Sequence, residues 1–278
     1  MKLSFAIIED RKTIRGLLNK IFGDYKVPLG TVEWLSKNPS GRNIWYTAFH
    51  RAQPIGLYGM LPVRVRIGDE SSLSFLCNNV GVLPEFRGKG VFTDLGKYTT
   101  ECLKSHVLFG VPNKAAIKGH EKVGWKTVGT LELLYGRSDS KNIANSTWTN
   151  QEVFKFRTDL HRMPAYIGFE RAPRNSWWRY TKPGQKYNQT HLGNLHVTWK
   201  EFEGFYQVME CDPFIAPHLL LPDDQDFSVL CLRDSMQSKI YKQMGFKTKF
   251  ERDLIIKNYD GNSSPDMIRF ELTDLDNF

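Results

Sequence analysis

The stretch that decides the fold is Val80-Gly81-Val82-Leu83-Pro84-Glu85-Phe86-Arg87-Gly88-Lys89-Gly90-Val91-Phe92. It follows a strand-like run, Leu73 to Val82, that Pro84 ends, and it opens a segment of helical periodicity from Val91 to about Ser105. Gly88 and Gly90 let the backbone bend tightly and carry no Cβ to keep an anion away. The amides of Gly88 to Val91 would then stand free at a helix N-terminus, where their partial positive charge favours a diphosphate. Arg87 and Lys89 add countercharge. Two other phosphate loops are excluded. A Walker A loop needs Gly-Lys followed by Ser or Thr, and Gly90 is followed by Val91; the dinucleotide fingerprint needs a third glycine where Thr93 stands.

Outward from this loop the chain reads as strands and helices in a definite order. Ser4 to Ile8 predicts a short strand. Glu9 to Phe22 predicts a helix with Ile14, Leu17, Leu18 and Ile21 on one face, stopped by Gly23. Val32 to Leu35 predicts a second short helix. Strands are predicted over Asn43 to His50, Pro54 to Ile67 and Leu73 to Val82. Gly56, Gly59 and Pro62 are expected bends, and Gly68-Asp69-Glu70 a turn. Beyond the loop follow a strand from Val107 to Val111, a helix from Asn113 to Lys122 and a strand from Lys126 to Leu134. A meander that passes into strand–helix alternation implies a mixed α/β sheet.

The polar run Arg137 to Asn150 reads as a linker, and a second half begins near Gln151. Its expected elements are strands near Leu195 to Trp199, Gly204 to Met209 and Phe227 to Leu232, a helix from Ser235 to Met244 and a strand from Lys247 to Lys257. An internal repeat supports this division. Val107-Leu108-Phe109 through Gly124-Trp125-Lys126-Thr127 matches Ser228-Val229-Leu230 through Gly245-Phe246-Lys247-Thr248, at a constant offset of 121. At that offset Arg87 to Gly90 corresponds to Val208-Met209-Glu210-Cys211, which has lost both glycines.

Composition narrows the function classes. The 278 residues are 41% hydrophobic and 24% charged, the profile of a globular chain. No apolar run approaches the roughly 18–20 residues of a membrane helix, and Leu3 to Ile8 is too short for a secretory h-region. Cys77, Cys102, Cys211 and Cys231 are widely spaced, which argues against a zinc knuckle or a disulfide framework and for a reduced, cytoplasmic protein without bound metal. The net charge of +8 favours anionic partners. The cations are scattered rather than blocked or interleaved with aromatics, which weighs against nucleic acid.

Val82-x-Pro84-x-x-Arg87-Gly88-x-Gly90 resembles the acyl-CoA pyrophosphate loop of the GCN5-related N-acetyltransferase (GNAT) superfamily. Asn113-x-x-Ala116 … His120-Glu121-Lys122-x-Gly124-Trp125 resembles its second signature. The resemblance implies a GNAT-type α/β (α+β) fold: a mixed, mostly antiparallel sheet flanked by helices. It implies an acyl-CoA domain over 1–136, a linker over 137–150 and a degenerate GNAT-like domain over 151–278 that contributes to acceptor binding. Acyl-CoA would be a cosubstrate, with no cofactor held permanently. Val80, Val82, Arg87, Gly88, Lys89, Gly90, Val91 and Phe92 would bind it, with Asn113 on the pantetheine arm. Val80 to Leu83 match the splayed strand that offers an N–H to the thioester carbonyl, and Gly81 fits such a distortion.

Amide formation from a thioester needs a neutral amine, donors for the oxyanion and a way out for the thiolate. Cys77 and Cys102 read as core residues rather than nucleophiles. Asp94 is the first candidate for the base, though a helix N-terminus makes it a weaker one; Glu101, seven residues on and nearly on the same face, is the second. His120 stands where many family members carry the tyrosine that protonates the thiolate, a task an imidazole can perform near neutral pH. The two-domain layout and the segment Trp177-Trp178-Arg179-Tyr180 are similar to acyltransferases of cell-surface polysaccharide synthesis, anthrose biosynthesis among them. These acylate a dTDP-4-amino-4,6-dideoxy sugar, so the resemblance implies a nucleotide-linked amino sugar as partner, with those four residues stacking on a base or sugar and pairing with a diphosphate. Acetylation of a protein or small-molecule amine, and acyl-CoA binding without catalysis, stand as alternatives. A homo-oligomer is compatible with the sequence.

Overall fold

Asp10 starts the first helix, its carboxylate accepting the Thr13 amide at 2.8 Å. In this computed structural model α1 (Arg11–Phe22) buries Ile14, Leu17, Leu18 and Ile21, the face the periodicity predicts, and ends at Gly23, where φ is +61°. Described are residues 1–23, 27–28, 30–67, 70–137, 167–170, 177–192, 195–212, 225–259, 268–271 and 274. The first two residues of the Gly68–Glu70 turn, the linker from 138 to 150 and the residues that open the second half at 151–166 lie outside them.

The first half has the predicted elements in the predicted order, but two helices are shorter than expected: Val91 to Ser105 is helical only to Cys102, and Asn113 to Lys122 only from Ile117. β1 (Ser4–Ile7), β2 (Ile44–His50), β3 (Gln53–Ile67) and β4 (Glu70–Val82) form an antiparallel meander, with α2 (Thr31–Ser36) between β1 and β2 in the chain. β3 is one strand through Gly56, Gly59 and Pro62, where bends were expected, and its ladders shift register beside Gly56 against β2 and beside Gly59 against β4. Pro62 lies beyond the last rung to β2, which pairs Ile44 with Met60, so its missing N–H removes nothing from that ladder. After the glycine loop come α3 (Val91–Cys102), then β5 (Leu108–Gly110), which joins β4 in parallel, then α4 (Ile117–Lys122) and β6 (Lys126–Arg137).

The second half supplies β7 (Ile167–Phe169), β8 (Asn188–Leu192), β9 (Leu195–Phe202), β10 (Phe205–Asp212), β11 (Asp226–Leu232), α5 (Met236–Gln243), β12 (Lys247–Lys257) and β13 (Ile268–Arg269). Among the described residues all strands belong to one sheet in the order β1-β2-β3-β4-β5-β12-β6-β11-β10-β9-β8, with β7 on β3 and β13 on β7. It is mixed, mostly antiparallel and flanked by helices, as the sequence implies. The two halves exchange their last strands: β12 pairs with β5, β6 pairs with β11, and β6 and β12 pair with each other in the centre. The main core accordingly runs through both halves, joining Leu108 and Phe109 to Leu254, Ile255 and Ile256; a smaller core lies under α5.

The repeat is structural from β5 and β11 onward. Gly124 and Gly245 have φ of +88° and +89°. The Trp125 amide bonds the His120 carbonyl at 3.2 Å, and the Phe246 amide bonds the Tyr241 carbonyl at 3.0 Å. Upstream the constant offset fails. β10 lies parallel to β11 as β4 lies parallel to β5, and Val208, Glu210 and Cys211 are rungs of the β9–β10 ladder. They occupy a strand, not the position of the Arg87–Gly90 loop. Between β10 and β11 the chain has only residues 213–225, against 83–107 between β4 and β5.

Candidate functional site

β4 and β5 pair only from Phe75 to Cys77 and from Leu108 to Gly110. Beyond that point β5 ends while β4 continues against β3, so the two strands part. The gap holds a cavity of about 390 Å³. Cys77, Asn78, Asn79 and Val80 line it from β4, and Gly110, Val111, Pro112 and Asn113 from the end of β5 onward; Ala116, His120 and Phe22 complete it.

A bulge opens this wall of the cavity. β3 pairs Gly59 with Asn78 and Leu57 with Gly81, so Asn79 and Val80 together oppose Tyr58 alone. Asn79 has φ of +48°, a left-handed conformation that asparagine tolerates better than most side chains. Such a bulge frees a backbone amide from the ladder. The distortion therefore sits just before Gly81, which the sequence had suggested for it. Gly81 answers a different demand: a Cβ there would stand 2.3 Å from Ile21 Cγ2 of α1.

The loop has the expected backbone. Pro84–Phe86 form one 3-10 turn, and Gly88 and Gly90 take φ of +73° and +81°, Gly90 as the N-cap of α3. No side chain caps α3, and no backbone carbonyl among the described residues takes the amides of Gly88, Lys89, Gly90 or Val91. The loop's cations do structural work. Arg87 donates to the carbonyls of Val82 at 3.0 Å and Ile21 at 2.8 Å, fastening the loop to β4 and α1. Lys89 donates to the Glu85 carbonyl at 2.8 Å. The anion-facing groups are thus main-chain amides first. Val82 and Val91 are buried under the loop, and Phe92 packs on α4 at Gly119. Asn113 lines the cavity and accepts the Ala116 amide at 3.0 Å, shaping the entry to α4.

Of the three candidate catalytic side chains only His120 lines the cavity. Asp94 is exposed in the first turn of α3, its carboxylate over Gly90. Glu101 is exposed and ion-paired with Lys104 at 2.7 Å. Tyr98, between them on α3, stacks on Phe5 of β1 with ring centres 5.2 Å apart. His120 is 3% exposed, and its Nδ1 lies 2.9 Å from the Tyr58 hydroxyl. Burial depresses its pKa from 6.5 to about 4, so the ring is neutral at physiological pH and carries no spare proton there. Cys77 is exposed only in part, and burial among its neighbours pushes the thiol up to about 12. It packs against the main core with one side at the cavity wall, and without a thiolate it is a poor nucleophile. Cys102 is exposed at the end of α3, not in the core.

The four aromatic-segment residues separate. Trp178 is buried and stacks on Trp34 of α2 with centres 4.3 Å apart and planes 7° apart. Each indole N–H donates to the other residue's carbonyl at 2.9 Å. The Arg179 guanidinium covers Trp178 at 5.0 Å, and the rings of Tyr180 and Tyr187 meet at 5.1 Å. Trp177 alone is open, 71% exposed. Asn79 and Tyr58 are the residues sequence reasoning missed. Two adjacent asparagines inside an apolar strand were a legible signal for the bulge; Tyr58 carried none, because its role depends on the fold bringing His120 to it.

No protein-family model matches the chain, and no curated protein matches its sequence. Solved structures do match its fold. A GCN5-related N-acetyltransferase from Anabaena variabilis superposes with a TM-score of 0.63 at 12% identity, over 92% of this chain and 72% of that one. Eis1 from Mycobacterium abscessus gives 0.60 at 13% identity, over 92% and 73%. A tandem GNAT protein from the clavulanic acid biosynthesis pathway gives 0.55 at 11% identity, over 94% and 100%. The chain therefore has a GNAT-type fold, in the tandem form that its strand exchange and internal repeat describe.

Proposed function

We propose that the protein is an acyl-CoA-dependent N-acyltransferase. One observation carries this reading: a cavity between two parting strands, with a bulged amide on its wall, in the half whose glycine loop presents unbonded amides at a helix N-terminus. A diphosphate at Gly88–Val91 and a pantetheine arm beside Asn113 would carry the thioester into the cavity. The amides of the Asn79–Val80 bulge would meet the developing oxyanion. The amine attacks directly, since Cys77 holds its proton. Asp94 and Glu101 do not line the cavity, so the amine's proton passes to solvent rather than to either. Residues 1–136 would bind acyl-CoA; residues 151–278 would bind none and would help hold the acceptor.

For the acceptor we propose the amine of a nucleotide-linked amino sugar, of the dTDP-4-amino-4,6-dideoxy class used in surface polysaccharide synthesis. The net charge of +8 supports an anionic acceptor over a cationic aminoglycoside. Both substrates would be drawn from the cytoplasm. The test is thiol release from acetyl-CoA with a panel of amines. Release with the nucleotide sugar and not with peptides or aminoglycosides supports both parts. Release with a peptide alone overturns the acceptor, and release with none overturns the enzyme.

A further inference from the structure

We propose that Tyr58 is a positioning residue: it holds His120 with its single ring proton on Nε2, so that the imidazole offers the cavity a fixed hydrogen-bond donor for the departing sulfur. The inference rests on the acyl-transfer reading for the sulfur, and on the Tyr58–His120 contact and the chemistry of its two groups for the state of the ring.

The 2.9 Å contact between Tyr58 and His120 Nδ1 can be made in two ways. Either the phenol donates to a bare Nδ1, leaving the proton on Nε2, or Nδ1–H donates to the phenol oxygen, leaving Nε2 bare. The chemistry of the two groups chooses the first: a phenol O–H is a better donor than a neutral imidazole N–H, and an imidazole nitrogen a better acceptor than a phenol oxygen. The neighbouring thiol of Cys77 is a weak acceptor and does not compete for the phenol's proton. Nε2 bonds no protein group among the described residues, and the ring that carries it lines the cavity.

The ring is also held against turning. Phe92 and Trp125 meet it edge-on at 5.2 and 5.3 Å, and Tyr58 at 5.7 Å. Phe92 is itself seated where a Cβ on Gly119 would come within 2.5 Å of its ring. The titratable groups facing this box are Tyr58 from β3 and Cys77 from β4. α3 brings Phe92, the turn after α4 brings Trp125, and β12 brings Lys257, whose ammonium is bonded to the Val123 carbonyl at 2.8 Å. No carboxylate among the described residues bonds the imidazole to favour a second proton. The burial that keeps the ring neutral agrees with this arrangement.

The step balances without moving a proton through His120. The amine nitrogen forms the C–N bond and gives its proton to water. The C–S electron pair goes to sulfur, which leaves as a thiolate hydrogen-bonded to Nε2–H and is protonated by solvent. A neutral histidine used as a donor in this way needs its pKa lowered, not matched to the working pH.

The test uses the full chain with isotopically labelled histidine rings read by NMR, the His120 signals being assigned by their loss in His120→Gln. We expect Nε2 protonated and Nδ1 bare, unchanged between about pH 5.5 and 9. Tyr58→Phe should give a mixture of ring forms and lower kcat by roughly tenfold or more, with the KM for acetyl-CoA within about twofold. A proton on Nδ1 in the native protein, or a ring that titrates above about pH 6, overturns the proposal. So does a Tyr58→Phe variant with native ring signals and native kcat. If the ring is as expected but no amine releases thiol, the acyl-transfer reading falls while the assignment of the ring stands.

Discussion

His120 should make the protein sensitive to acid in a way that one substitution removes. The folded-state pKa, about 4, lies below the ordinary 6.5 because burial disfavours the charged ring. Unfolding returns the ring to water, where it takes up a proton below about pH 6.5. The stabilisation this represents is therefore full above about 6.5 and is lost as pH falls toward and through 4. A depression of that size corresponds to roughly 3 kcal/mol at ~1.4 kcal/mol per unit, of which more than 2 kcal/mol is gone by about pH 4.5. The assay is urea unfolding of the native chain and of His120→Gln at steps from about pH 7.5 to 4.5. The variant loses packing at every pH, but its side chain does not titrate. The stability gap between the two proteins should therefore narrow by roughly 2–3 kcal/mol over that range. Effects of every other titratable group appear in both proteins and cancel in the difference. Curves that run parallel would refute the reasoning, because they would mean that His120 protonates as easily inside the fold as outside it.

Other substitutions test the remaining parts of the site. Gly90→Ala places a Cβ on a residue at φ +81°, at a cost of about 1–2 kcal/mol, and should weaken acetyl-CoA binding in calorimetry by about tenfold; unchanged affinity would take the loop out of the reading. Asn79→Val sets a β-branched residue at φ +48° and should lower kcat while leaving acetyl-CoA affinity near native, as expected if the bulge serves the oxyanion rather than the diphosphate. Asp94→Asn should change turnover far less than the roughly 10²-fold that loss of a general base costs, and a loss of that size would restore Asp94 to the mechanism. Trp34→Leu should destabilise the protein by about 3 kcal/mol through loss of the stack and of one indole donor, read as a fall in Tm.

The elements of the first half were legible because each had a local cause: Asp10 and Gly23 bound α1, Pro84 stops β4, and Gly88 and Gly90 fix the turn before α3. The loop was legible for the same reason, its conformation being set by residues within four positions of one another. The neutral state of His120 was not, because its burial depends on Tyr58 and Phe92, which come from β3 and α3, as well as on Trp125 close by. Trp178 illustrates the converse. Two adjacent tryptophans followed by arginine and tyrosine suggest an exposed ligand platform, yet one of them is spent on Trp34, a residue 144 positions away. The strand exchange was hidden too: the repeat showed that two similar units exist, but which β5-like strand each last strand pairs with is a register choice that no local pattern records.

That exchange explains why a second copy without a phosphate loop would be retained. β5 is only Leu108 to Gly110, and it is held on one side by β4 and on the other by β12. A three-residue strand cannot form an edge that keeps the cavity wall in place by its own ladder; it needs both neighbours. β12 provides more than rungs. Ile255 packs within 3.2 Å of where a Cβ would stand on Gly110, and Lys257 caps the Val123 carbonyl at the end of the helix that carries His120. The cavity is lined by the first half and braced by the second. A phosphate loop in the second half could therefore be lost without harm to the first site, whereas loss of β12 would remove the support behind Gly110 and leave the α4 carboxyl end uncapped.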